Sequence, residues 1–150
     1  MSDQNAVHMA HGRTDEQKEV MRQIEKDGVD PFDWNLLANY HREPILKQGE
    51  HWLITPNDYP YEGTELHLLL IYRERVRNLG EVKRGAFAEL QEMLVWIESE
   101  FKLSHGTLVM RFDDIALTGG SVDHLHAHVI VGGMDTTTEK LKIPVGYKKK

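Results

Sequence analysis

Apolar positions change their spacing several times along this chain, and each change marks a different kind of element. Residues 1–13 are polar and patternless, which predicts a disordered tail ahead of a single domain at 14–150. A helical period follows. Thr14 and Gln17 have capping-box spacing, Asp15 and Glu16 suit a helix start, Val20 and Ile24 form one apolar stripe, and Gly28 supplies a stop. "DPFDWNLL" predicts a short helical turn offering Phe32, Trp34 and Leu37 for packing.

The period then drops to two. "PIL" and "HWLIT" flank "KQGE", a hairpin pattern, and "LHLLLIY" (66–72) reads as a buried central strand. "EVKRGAFAELQEMLVWIESEF" returns to helical spacing, with Phe87, Leu90, Leu94, Ile97 and Phe101 as its apolar face. "GTLVMRF" (106–112) and "DHLHAHVIVGG" (123–133) give two more strands around "DDIALTGGS", and "KIPVGY" suggests a last one. There is no internal repeat. The pattern predicts one α+β domain with a mainly antiparallel sheet and a long helix packed on it.

Composition narrows the chemistry. With no cysteine, disulfides and thiolate metal sites are excluded. A net charge of −6 argues against non-specific nucleic-acid binding, and the lysines of "GYKKK" read as a solvated tail. No apolar run approaches the roughly 20 residues of a membrane span, and the first residues lack a signal-peptide core, so the expected location is cytoplasmic, away from any membrane.

The unusual feature is "SVDHLHAHVIVGG". On a strand His124, His126 and His128 share one face, while Leu125, Ala127 and Val129 share the other and can pack on the helix. Three imidazoles without partners are costly to bury, so their face is expected to meet solvent or a ligand. A merely polar sheet face is one reading. A metal site is another, but alternate residues lie about 6.6–6.8 Å apart along a strand, so three rings would have to bend sharply inward. The third is phosphoryl chemistry. An imidazole nitrogen attacks phosphorus well when its other nitrogen donates to a fixed acceptor, and neighbouring rings can bind oxygens and protonate a leaving group. "TGGS" adds backbone N–H groups suited to an anion. Such a mechanism requires no metal or other cofactor.

"HLHAHVI" resembles the His-φ-His-φ-His-φ-φ signature of the histidine triad (HIT) family, φ being apolar. "GGSVDH" is similar to the family's approach to that motif, and "NDYPYEGTELHLLLIYRERVRNL" looks like a segment of its diadenosine tetraphosphate phosphorylase-like members. The likeness spans about residues 40–133. It implies a half-barrel-like sheet, a homodimer, and hydrolysis or transfer of nucleoside monophosphate groups from dinucleoside polyphosphates or nucleoside phosphoramidates through a nucleotidyl-histidine. A non-catalytic nucleotide-binding module is the alternative.

Carried over by position, His126 is the nucleophile, His128 contacts the phosphate and assists the leaving group, and His124 orients the site. Ser121 and the backbone at Gly119 and Gly120 hold phosphate oxygens, and Asn57 contacts the ribose. Trp52 stands open between a wall of the base pocket and a core aromatic. His67 aligns with a family histidine and reads as structural; His8, His11 and His41 receive no role. There are departures. Gly120 replaces a phosphate-binding glutamine, Asp113 an asparagine, and Tyr72 and Arg75 the proline and histidine of a "PxRH" element.

Overall fold

The computed structural model describes residues 6–150. Its elements in chain order are helix α1 (Asp15–Asp27), the short α2 (Leu37–Tyr40), strands β1 (Lys47–Gln48), β2 (Trp52–Pro56) and β3 (Leu66–Tyr72), helix α3 (Arg84–Glu100), β4 (Thr107–Met110), the single turn α4 (Ile115–Thr118) and β5 (His126–Val131). The five strands form one antiparallel sheet in the order β1-β2-β3-β5-β4. The histidine strand thus lies between β3 and β4, with Ile71 opposite His126 and both Leu69 and Val109 opposite His128. A strand hydrogen-bonded on both sides holds its side chains in fixed directions.

The two sheet faces do different work. On one, Trp52, Ile54, Leu70, Ala127, Val129 and their neighbours pack under α3 in the main core. The buried α3 positions are Ala86, Leu90, Met93 and Ile97, so the stripe is rotated from the expected one, and Phe87 is exposed. On this face the Trp52 indole N–H donates to the Ala86 carbonyl at 2.7 Å, tying the start of α3 to the sheet. Trp52 is fully buried on this α3 side, which corrects its reading as a base-pocket wall.

The other face carries His126 and His128 and is covered by chain ends. Thr14 accepts from the Gln17 N–H and Gly28 takes the left-handed conformation, so α1 starts and stops where its caps predict. Met21 and Ile24 of α1 pack with Val7. Residues 6–13 are therefore packed, against the expectation of a disordered tail: Val7 bridges Val122, the His8 N–H donates to Ser121 O and the Asp123 N–H donates to Ala6 O. These are long-range pairings that no local period reveals. Residues 1–5 of that expected tail lie outside the described residues. The segment at 142–147 forms no strand; it runs along the same face, and the Arg111 guanidinium donates to Pro144 O. Among the described residues no helix is long and apolar enough to cross a membrane.

Candidate active site

A cavity of about 230 Å³ lies between the covered sheet face and these flanking segments. That is just below the roughly 300–1,000 Å³ common for small-molecule sites, the scale of a small ligand. One part of the wall is apolar, with Val20, Met21 and Ile24 of α1, Phe32 and Leu69. The polar lining includes His126, His128, Arg111, Ser121, Arg13, Asn57 and Asp58.

Of the expected site residues, the fold brings His126, His128, Ser121, Gly119 and Asn57 onto this wall. Gly120 is buried and does not line the cavity; its carbonyl faces the His11 ring, with Nδ1 at 2.5 Å. Gly119 has a left-handed φ of +85°, and Pro144 closes over it so that a Cβ would meet the proline ring at 3.2 Å. Asn57 is already engaged, its side-chain oxygen accepting from the Tyr59 N–H at 2.9 Å.

His124 departs from the expected trio. It precedes β5 and does not line the cavity. Its ring sits between two acceptors, Asp30 Oδ2 at 2.6 Å from Nδ1 and Tyr72 O at 2.6 Å from Nε2. What His124 contributes toward the cavity is its backbone carbonyl, which accepts from His126 Nδ1 at 2.6 Å.

That bond fixes the central ring. With its proton on Nδ1, neutral His126 leaves the lone pair of Nε2 for the cavity. Phe32 holds the ring edge-on at 5.0 Å between centroids. Burial is the main cause that pulls His126 down to about 4, only partly opposed by the bond to His124 O, so the ring stays neutral near pH 7.

A relay of rings reaches His128. The Tyr61 N–H donates to His67 Nδ1 at 3.1 Å, and His67 Nε2 is hydrogen-bonded to His128 Nδ1 at 2.8 Å. On its other side His128 Nε2 lies 3.3 Å from Arg111 Nη1. Burial pulls His67 to about 4 and holds His128 well below its usual value, with the neighbouring imidazoles and arginines adding to both. The two buried rings of His126 and His128 are adjacent on this wall, their centroids 4.9 Å apart. The imidazoles are buried, each under 10% exposed, and where solvent or a ligand was expected the rings of His126 and His128 border the cavity.

Several residues here were not legible as functional. Asp30 and Phe32 come from the "DPFDW" turn, Arg13 from the supposed tail, and Tyr61 from the β2–β3 loop. Arg111 follows β4; since Val109 pairs with His128, Arg111 shares the parity of the histidine face, but only the register shows this. His67 belongs to the site through the relay. Arg75 and Arg77, which alternate in sequence, turn instead onto Asp123 and brace the chain before β5. Among the described residues no group of three or more histidine or acidic side chains is placed to hold a metal ion.

The comparisons agree with this architecture. A family model described as the HIT domain matches residues 43–134. Similar solved structures include a HIT family hydrolase from Clostridium thermocellum at 19% identity and TM-score 0.53, covering 71% of this chain and 93% of that one. A hypothetical histidine triad nucleotide-binding protein from Sulfolobus tokodaii aligns at 20% identity and TM-score 0.51, covering 77% and 79%. Plasmodium falciparum diadenosine triphosphate hydrolase, solved with cyclomarin A, aligns at 16% and TM-score 0.50, covering 61% and 62%. At these identities the likeness carries the fold and does not select a branch of the family. No curated protein matches the sequence at a significant level.

Proposed function

Because this chain belongs to the HIT family, we propose that it is a nucleotidyl hydrolase or transferase acting through a nucleotidyl-histidine on His126, on dinucleoside polyphosphates or nucleoside phosphoramidates. The observation that carries this reading is His126 with Nδ1 tied to the His124 carbonyl and Nε2 left for the cavity, beside His128 on the same wall. His126 Nε2 attacks the α-phosphorus, the bond from phosphorus to the leaving group breaks, and the leaving group takes a proton from His128. His128 then accepts a proton from water or another acceptor as its oxygen attacks the same phosphorus. The phosphorus–nitrogen bond breaks, and both rings return to their starting states.

The surroundings support each part. The apolar wall around Ile24 and Phe32 suits a base, Asn57 stands where a ribose would lie, and Ser121 with the backbone at Gly119 can hold phosphate oxygens. Donors held in fixed positions stabilise charge without reorganising during the reaction, so the chemistry requires no metal.

Turnover of a panel of adenosine and guanosine phosphoramidates and dinucleoside polyphosphates tests the proposal. His126→Ala is expected to lower kcat/KM by at least about 10⁴-fold, as loss of a nucleophile does. Comparable turnover by this variant would remove His126 from the mechanism.

A further inference from the structure

Helix α1 sets one polar side chain into the apolar part of the cavity wall. Gln17, Val20, Met21 and Ile24 all line the cavity, and steps of three and four place them on one helix face. Gln17 stands at the N-terminal end of that row and is only 8% exposed. A buried amide is costly unless its oxygen and its nitrogen both find partners.

Only one end of this amide is satisfied within the chain. The Arg13 N–H donates to Gln17 Oε1 at 2.9 Å, and the Gln17 backbone N–H donates in turn to Thr14 Oγ1 at 3.0 Å. The exchange caps the helix and also fixes which way the amide is turned. A backbone N–H must face the side-chain oxygen, because the nitrogen offers no lone pair. The nitrogen is the end left over, two N–H donors without an acceptor among the described residues. Val20, Ile24 and Phe32, its apolar neighbours in the wall, have no acceptor to offer.

We propose that Gln17 selects the base, its amide nitrogen donating to an oxopurine, guanine or hypoxanthine, and discriminating against adenine. This rests on the nucleotide reading above and names the base that reading leaves open. A ring stacked along Val20, Met21 and Ile24 has one edge toward the helix start, where Gln17 stands. Guanine and hypoxanthine present two acceptors on one edge, O6 and N7, whereas adenine presents N7 beside an N6 amino donor. Paired N–H donors match the first pattern. Against adenine, an amino group meets the amide nitrogen, and the amide turns its oxygen inward only by releasing the Arg13 N–H and opening the cap. Gln17 precedes residues 43–134, so in this reading the choice of base belongs to an element outside the HIT domain.

Calorimetric titration of the full chain with guanosine, inosine and adenosine monophosphates tests this without turnover. The first two are expected to bind at least about tenfold tighter than the third, the scale of one buried hydrogen bond made or lost. Gln17→Glu keeps the cap, since glutamate also serves at that position, but turns the free end into an acceptor. The order should then reverse, adenosine monophosphate binding at least about threefold tighter than the other two. Gln17→Leu removes both ends of the amide, and the three affinities should fall within about threefold of one another, with melting curves confirming that it folds. An unchanged preference in either variant overturns the assignment, and so does equal binding of the three nucleotides by the wild-type chain. Inosine monophosphate binding like adenosine monophosphate also overturns it, by placing the choice at the exocyclic amine of guanine. If none of the three binds, the nucleotide reading falls together with this one. Failure of an adduct to form bears on His126 alone, and the ratios are read separately.

Discussion

At the scale of the residue, the central ring is prepared by what binds its far side. His124 holds its ring between Asp30 and the Tyr72 carbonyl, and its own carbonyl then fixes the proton of His126. In the proposed mechanism Asp30 is thus a positioning residue, acting on His126 through His124. Asp30→Asn keeps the shape of the contact but gives His124 a weaker, neutral partner. Displacing a positioned group costs up to about a hundredfold, and kcat is expected to fall by roughly tenfold or more while KM changes by less than about twofold. Equal changes in both, or none, would limit Asp30 to structure. The alternation of His124, His126 and His128 was visible in the sequence, but their division of labour was not. It follows from where β5 begins pairing, at His126, and from Asp30, which is 94 residues away. Trp52 shows the same limit. Its strand was legible, but which sheet face α3 covers decides its role, and that face holds Trp52 in the core.

At the scale of the element, the region matched by the family supplies the His126 and His128 rings and the flanks close the space above them. The HIT domain spans residues 43–134; α1, Phe32 and Arg13 precede it, and Pro144, Gly146 and Tyr147 follow. Helix α1 could be read because its caps and stripe are local signals. The packing of residues 6–13 and 144–147 could not, since it depends on single contacts such as Val7 with Val122 and Tyr147 with His11. The C-terminal segment contributes walls with little burial of its own, Tyr147 being 71% exposed. Removing residues 144–150 should therefore leave the melting temperature nearly unchanged while raising KM by roughly tenfold, about 1.4 kcal/mol of lost contact. An unchanged KM would show that the segment does not face the substrate.

At the scale of the whole molecule, the site makes stability depend on pH. His126 and His67 are held at about 4, against an ordinary value near 6.5, and His128 is also depressed, burial leading in all three. Between those values the unfolded chain binds more protons than the folded one, so stability rises with pH from about 4 to about 6.5 and levels off above. Melting temperatures across that range should climb and then plateau. His126→Ala should flatten the climb, since it removes one of the three buried rings. A climb of undiminished slope would place the titration elsewhere. The same burial keeps His126, the proposed nucleophile, neutral throughout the plateau, which joins fold stability to the proposed chemistry in a single cause.

The most direct measurement is the mass of the intact protein, taken by alkaline quench during turnover of a nucleoside phosphoramidate or dinucleoside polyphosphate. The expected species is the chain plus one nucleoside monophosphate, with fragmentation placing the added group on His126 and the species missing from His126→Ala. Turnover with no such adduct at any quench time, or an adduct mapped to His124 or His128, would contradict the assignment of the attacking nitrogen to His126.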